Sequence, residues 1–112
     1  MAGIAAAAGI GAGTIGVAFA PEVKLLPVKL FDDCGASGRV DVLVKAIRWA
    51  AGLQVPGAPP NPHKAHVINM SLGLAKPQPV LDQATAEAWA AGVLLIAAAG
   101  NHRPGASSAV LS

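Results

Sequence analysis

Charge is scarce in this sequence. Asp, Glu, Lys and Arg make up 12% of its 112 residues, about half the roughly 25% of an ordinary soluble domain. Aromatic residues are scarcer still: two Trp, two Phe and no Tyr, 4% in all. Eight Lys and Arg against six Asp and Glu leave a formal net charge of +2. The basic residues are scattered, with no stripe interleaved with aromatics, so nucleic acid is not an expected partner. Cys34 is the sole cysteine. It cannot staple the chain internally, which leaves an inert thiol or an intermolecular disulfide. No apolar run reaches the roughly 18–20 residues of a membrane-spanning helix, so no membrane partner is expected. The opening MAGIAAAAGIGAG is apolar but has no basic start. It reads poorly as a signal peptide, and a cytoplasmic location as expressed is the expectation.

What fills the chain instead is small and apolar. Residues of the Ala, Val, Ile, Leu, Met, Phe, Trp and Cys types make up 54%, and glycine adds 13 positions. At this length residues 1–112 form one small domain. Its polar side chains are too few to cover its surface, so an exposed apolar patch is expected. The partner this implies is the chain itself, as a homo-oligomer up to a large closed assembly.

Three strand-like runs alternate with two helix-like ones. The first, Val23 to Phe31 (VKLLPVKLF), holds Pro27, which argues for an edge or a bulge. The second is His66 to Leu72 (HVINMSL). The third, Val93 to Ala99 (VLLIAAA), has no polar residue, as in a strand covered on both faces. Between the first two, Val40, Leu43, Val44, Ile47 and Ala50 recur at helical spacing within Arg39 to Leu53. Asp41, Lys45 and Arg48 share the opposite face, Asp41 and Lys45 four apart in the favourable order. Ser37 or Gly38 caps this helix and Gly52 ends it. A second helix spans about Pro79 to Ala91, with Pro at its first turn, Asp82 near its positive end and Gly92 as its stop. Its expected inward stripe is Leu81, Thr85, Ala88 and Trp89, with Trp49 and Trp89 both read as core. VPGAPPNPHK (Val55 to Lys64) holds four of the nine prolines and reads as a surface excursion. The alternation implies right-handed crossovers and a parallel α/β sheet of βαβαβ, Rossmann-like form.

Laid in order, these segments resemble the middle of a subtilisin-like serine protease (subtilase, peptidase S8) domain. AGIAAAAG (Ala2 to Gly9) is similar to the helix that follows the family's catalytic histidine. GVAFAPEVKLLPVKLFDD (Gly16 to Asp33) resembles its GVAP-x-A-x-L-x-x-V-K-V strand, with Phe19 and Ala20 as an insertion. VINMSLG (Val67 to Gly73) resembles the substrate-cleft strand, and GVLLIAAAGN (Gly92 to Asn101) the strand ending at the oxyanion asparagine. The resemblance covers nearly all of the chain to about Asn101 and implies a truncated piece of the three-layer subtilase fold, completed by oligomerisation. It also implies that Asn101 offers its amide to an oxyanion. Ser71, Leu72 and Gly73 then present backbone to an extended peptide, and Ala98, Ala99 and Gly100 line a specificity pocket. The family's D-[ST]-G, H-G-T-x-V-A-G and G-T-S-M-A motifs are absent from these 112 residues. Met1 stands where the family has the Val of the histidine motif, so the expectation is an internal fragment without autonomous peptidase activity. The family is mostly secreted.

Other chemistry rests on few residues. His102, Ser107 and Ser108 are close in sequence without a neighbouring Asp. His63 and His66 flank a proline loop, and a zinc site needs a third and usually a fourth ligand. No metal or cofactor is expected. Of the six carboxylates, Asp32 and Asp33 adjoin at the end of the first run, where α/β sheets place ligands. As a pair, or across a subunit interface with Glu22 or Glu87, they are candidate catalytic groups for a hydrolase acting on glycosides or esters, chemistry that needs carboxyls about 5–9.5 Å apart. A third reading is a peptide-binding module using Val67 to Gly73.

Overall fold

The computed structural model describes residues 5–7, 16, 23–31, 39–74 and 76–99. Within them the elements run α1 (Val40–Ala50), β1 (Val67–Met70), α2 (Pro79–Ala90) and β2 (Leu94–Ala97). The strands pair in parallel, Val67 opposite Leu94 through Met70 opposite Ala97.

Helix α1 buries Leu43, Val44, Ile47 and Ala50, the stripe its periodicity predicts. Arg39 occupies the N-cap without a side-chain capping bond, while Ser37 and Gly38, the expected caps, lie outside the described residues. The Asp41 carboxylate pairs with Arg39 at 2.9 and 3.3 Å, not with Lys45. A two-residue step across the helix start brings Arg39 closer than one turn brings Lys45. This hydrogen bond holds the Asp41 carboxyl below its ordinary value.

Helix α2 corrects the expected stripe. Ala84 and Ala88 are fully buried, Leu81 and Thr85 are half-buried, and Trp89 is 66% exposed. Alanines four apart let α1 approach closely, and that packing rotates the larger Trp89 to the surface. Thr85 turns its hydroxyl to the Asp82 carbonyl at 2.9 Å. Trp49 is half-buried, its indole N–H donating to the Pro59 carbonyl at 2.8 Å instead of entering the core.

Both helices end in the same four residues, Trp-Ala-Ala-Gly, and in the same turn. Gly52 (φ 74°) and Gly92 (φ 81°) take the left-handed conformation. Gly52 N–H donates to the Trp49 carbonyl and Leu53 N–H to that of Arg48; Gly92 pairs likewise with Trp89, and Val93 with Ala88. These are Schellman motifs, which satisfy carbonyls the helix leaves open. The proline-rich loop is exposed from Pro56 to Pro60, as expected, but it is anchored to the end of α1. Asn61 donates its amide to the Trp49 carbonyl at 2.9 Å, and the Lys64 ammonium reaches the Ala91 carbonyl at the end of α2.

Leu43, Val44, Ile47, Ala51, Ala84, Ala88 and Val93 form the core, with Ile68, Met70 and Leu95 packed on it from the inner face of the sheet. The other face is open among the described residues: Val67, Leu94 and Ile96 are each about half exposed, so the coverage of β2 on both faces is not seen here. The strands are shorter than their apolar runs. The run Val23–Phe31 is described but joins no ladder; Leu30 near its end packs against the core. Pro27 lacks the donor a ladder needs, and among the described residues the sheet has two strands, not three.

One polar contact ties the helices across the surface. Arg48 Nε and Nη2 grip Glu87 at 2.6 and 2.9 Å, and Gln83 donates to the same carboxylate at 2.9 Å. The Arg48 hydrogen bond, opposed by partial desolvation, holds the Glu87 carboxyl below its ordinary 4.5. A carboxyl with a lowered folded value adds stability above its unfolded value and loses it as pH falls through the folded one. Glu87→Gln is therefore expected to lower the thermal midpoint at pH 7 and to shrink the loss of stability below about pH 4.5 relative to wild type, read by calorimetry across pH.

The helix stops give a second expectation. Gly92→Ala meets no atom within 4 Å, so its cost is the left-handed backbone alone, about 1–2 kcal/mol. Gly52→Ala adds a tight contact with the Lys64 stem at 3.2 Å and is expected to cost more. Urea denaturation of both variants checks the order.

Candidate functional site

Because β1 and β2 are parallel and level, their C-terminal ends leave the sheet side by side. Met70 lies opposite Ala97, and Ala98 N–H donates to the Met70 carbonyl at 3.1 Å, carrying the pairing one residue further. Ser71–Gly73 and Ala98–Ala99, which sequence reasoning took from two separate motifs, are thereby brought together. This is the end of an open α/β sheet where ligands bind.

Ser71 is exposed, and its hydroxyl accepts a hydrogen bond from the Asn69 amide at 2.9 Å. Leu72 is half-buried against the core, while Gly73, Ala98 and Ala99 are exposed. The alternation fixes these roles. Leu72 anchors the segment, and its neighbours on either side face solvent. Next to Leu72 and Gly73 sits a small cavity of about 100 Å³, walled by Leu30, Phe31, Leu43 and Leu74 with Arg39. Sequence reasoning did not find it, since its walls come from the first run, the start of α1 and the segment after β1. A larger depression, between Arg48, Leu53, Gln54, Glu87, Ala90 and Ala91, is open to solvent. It lies where the helices end, so at the opposite end of the sheet, and its charged groups are spent on each other.

Gly100, Asn101, Asp32 and Asp33 lie outside the described residues, as do Glu22, Cys34, His102, Ser107 and Ser108. Glu87, the described carboxylate considered for an interfacial site, is held by Arg48 and Gln83. His63 and His66 are exposed. Among the described residues no three His, Cys, Asp or Glu side chains gather as a metal site, and no helix is long and apolar enough to cross a membrane.

Comparison with known proteins covers almost the whole chain. Residues 1–111 match the sequence pattern of the Subtilase family, Peptidase_S8. The chain is 35% identical over 105 residues to alkaline elastase YaB of Bacillus sp. (strain YaB), covering 94% of this chain and 24% of that protein. It is 35% identical over 108 residues to subtilisin Savinase of Lederbergia lenta, with 96% and 35% covered. The extracellular basic protease of Dichelobacter nodosus is 35% identical over 109 residues, with 93% and 17% covered. A solved protease structure from Pseudoalteromonas arctica superposes with a TM-score of 0.70 at 36% identity, over 78% of this chain and 25% of that one. The chain thus spans about a third or less of the lengths of these relatives. A parallel α/β unit of matching fold and a family pattern running from end to end place this chain in the subtilase family of peptidases.

Proposed function

We propose that these residues are the peptide-binding part of a subtilase domain, and that the 112-residue polypeptide by itself has no peptidase activity and associates with copies of itself. The observation that carries the first part is the juxtaposition of Ser71–Gly73 with Ala98–Ala99 at one end of the sheet. An extended peptide laid there pairs its backbone with Ser71–Gly73 by strand addition. The cavity beside Leu72 accepts an apolar side chain of that peptide. Asn101, four residues beyond Ala97, supplies an amide donor to the oxyanion, a role worth about 2.7–4 kcal/mol. The relatives, an elastase, a subtilisin and a basic protease by name, support a peptide bond as the target. The name of the Dichelobacter nodosus relative supports a place of work outside the cell.

Acyl transfer also needs a nucleophile with a base in hydrogen-bond reach. Among the described residues, neither His63 nor His66 makes a ring hydrogen bond to a serine or a carboxylate. The three family motifs that would supply acid, base and nucleophile are not in the 112 residues. Self-association is supported by the apolar side chains at the surface among the described residues, Val67, Leu94 and Ile96 on the outward face of the sheet and Trp89 on α2, in a chain with only 12% charged residues.

Casein digestion and fluorophosphonate labelling of the purified chain, with its mass by light scattering, test this reading. No cleavage, no label and a mass that is a multiple of 11.1 kDa are expected. Peptide cleavage by the pure chain, or a folded 11.1 kDa monomer at micromolar concentration, would contradict it.

A further inference from the structure

We infer that the proline-rich loop from Val55 to Lys64 is built to resist cutting by peptidases that bind their substrates as extended strands, subtilases included. This concerns the chain as a substrate and stands apart from the proposed peptide site. Residues 51–66 join α1 to β1 without helix or strand, a connection of unusual length for a compact domain. Exposed loop tips are the preferred sites of nicking, and Pro56 to Pro60 are all exposed.

Composition opposes cutting first. Strand addition holds a segment by its backbone hydrogen bonds. A proline offers no N–H, fixes its own φ at about −65° and restricts the residue before it. Prolines stand at positions 56, 59, 60 and 62, so between Pro56 and Pro62 no more than two successive residues carry a backbone donor. The two ends of the loop are also turned. Ala58 N–H donates to the Val55 carbonyl at 3.1 Å, and Gly57 between them has a φ of 80°. Pro at the second position and a left-handed Gly at the third suit a type II turn. Further on, His63 N–H donates to the Asn61 side-chain oxygen at 2.8 Å, an Asx turn. Both turns must open before the segment can lie straight in a cleft.

The third obstacle is attachment. The Trp49 indole N–H donates to the Pro59 carbonyl at 2.8 Å, so an acceptor in the middle of the loop is already engaged. The Asn61 amide reaches the carbonyls of Trp49 and Ala50 at 2.9 and 3.5 Å. Ala65 N–H donates to the Ala50 carbonyl at 2.8 Å. All of these bonds involve the last turn of α1, where the helix itself leaves carbonyls open. Straightening the loop breaks them together, and cutting is limited by how often that opening occurs.

Limited digestion of the full chain by subtilisin Savinase, with products followed by mass spectrometry, tests the inference. In wild type the early cuts are expected outside Val55 to Lys64. Pro59→Ala combined with Pro60→Ala restores two donors and is expected to raise the rate of cutting inside the loop at least tenfold. Trp49→Phe removes the indole donor and is expected to raise it at least threefold. The fold of each variant is verified by circular dichroism. Early cutting of the wild-type loop, or an unchanged rate in either folded variant, would overturn the inference. Should either variant fail to fold, Asn61→Ala takes its place, with a threefold rise expected and an unchanged rate as the contrary result.

Discussion

Gly92 turns the chain from α2 toward β2 within the three residues between Ala90 and Leu94, and the placement of the strand ends depends on that turn. With its φ at 81°, it lets Val93 bond back to Ala88 and enter the core at once. Val93 is therefore fixed against the same buried patch as Ala84 and Ala88, and Leu94 falls level with Val67. A shift of one residue would exchange the inner and outer faces of the strand. Leu95 would leave the core and Ile96 would enter it, and Ala98 would no longer stand beside the end of β1. The equivalent turn at Gly52 sets the end of α1 against Leu53, with Asn61 and Lys64 of the proline-rich loop tying the two helix ends to each other.

Much of this was legible in the sequence. The apolar positions of α1, the glycine stops and the short β-branched runs are local signals, and local hydrogen bonding or periodicity decides them. Misread features depend on packing between elements. Trp89 has the hydrophobicity of a core residue, yet the seam with α1 is built from Ala84 and Ala88, and an indole there would force the helices apart. The Val23–Phe31 run has strand composition, but a strand is defined by its neighbour, and composition does not supply one. Asp41 and Lys45 have the spacing of a helix pair, and Arg39 outcompetes Lys45 from just outside the helix. The same limit applies to the site. Two motifs were readable separately, and only the parallel register brings Ser71–Gly73 to Ala98–Ala99. The small cavity beside Leu72 draws on three separate segments and has no contiguous signal.

The helical side of the sheet is well satisfied, and its reverse side is not. Ile68, Met70 and Leu95 face a core with no buried unpartnered polar side-chain atom among the described residues. Val67, Leu94 and Ile96 face outward, with too few charges in the chain to shield them. The C-terminal end of the two strands is organised by contacts within these residues, with Ala98 bonded to Met70 and Leu72 packed on the core.

The side-by-side placement of the β1 and β2 ends, which joins the two motifs of the proposed peptide site, carries the functional reading. It is tested most directly by a cross-link between Ser71→Cys and Ala98→Cys with Cys34 replaced by Ser. Opposed positions in adjacent strands lie within the roughly 4.4–6.8 Å Cα separation that a disulfide spans. The account predicts rapid oxidation to an intramolecular disulfide, with no comparable bond when Leu94→Cys replaces Ala98→Cys. Slow or purely intermolecular oxidation of the first pair would contradict it.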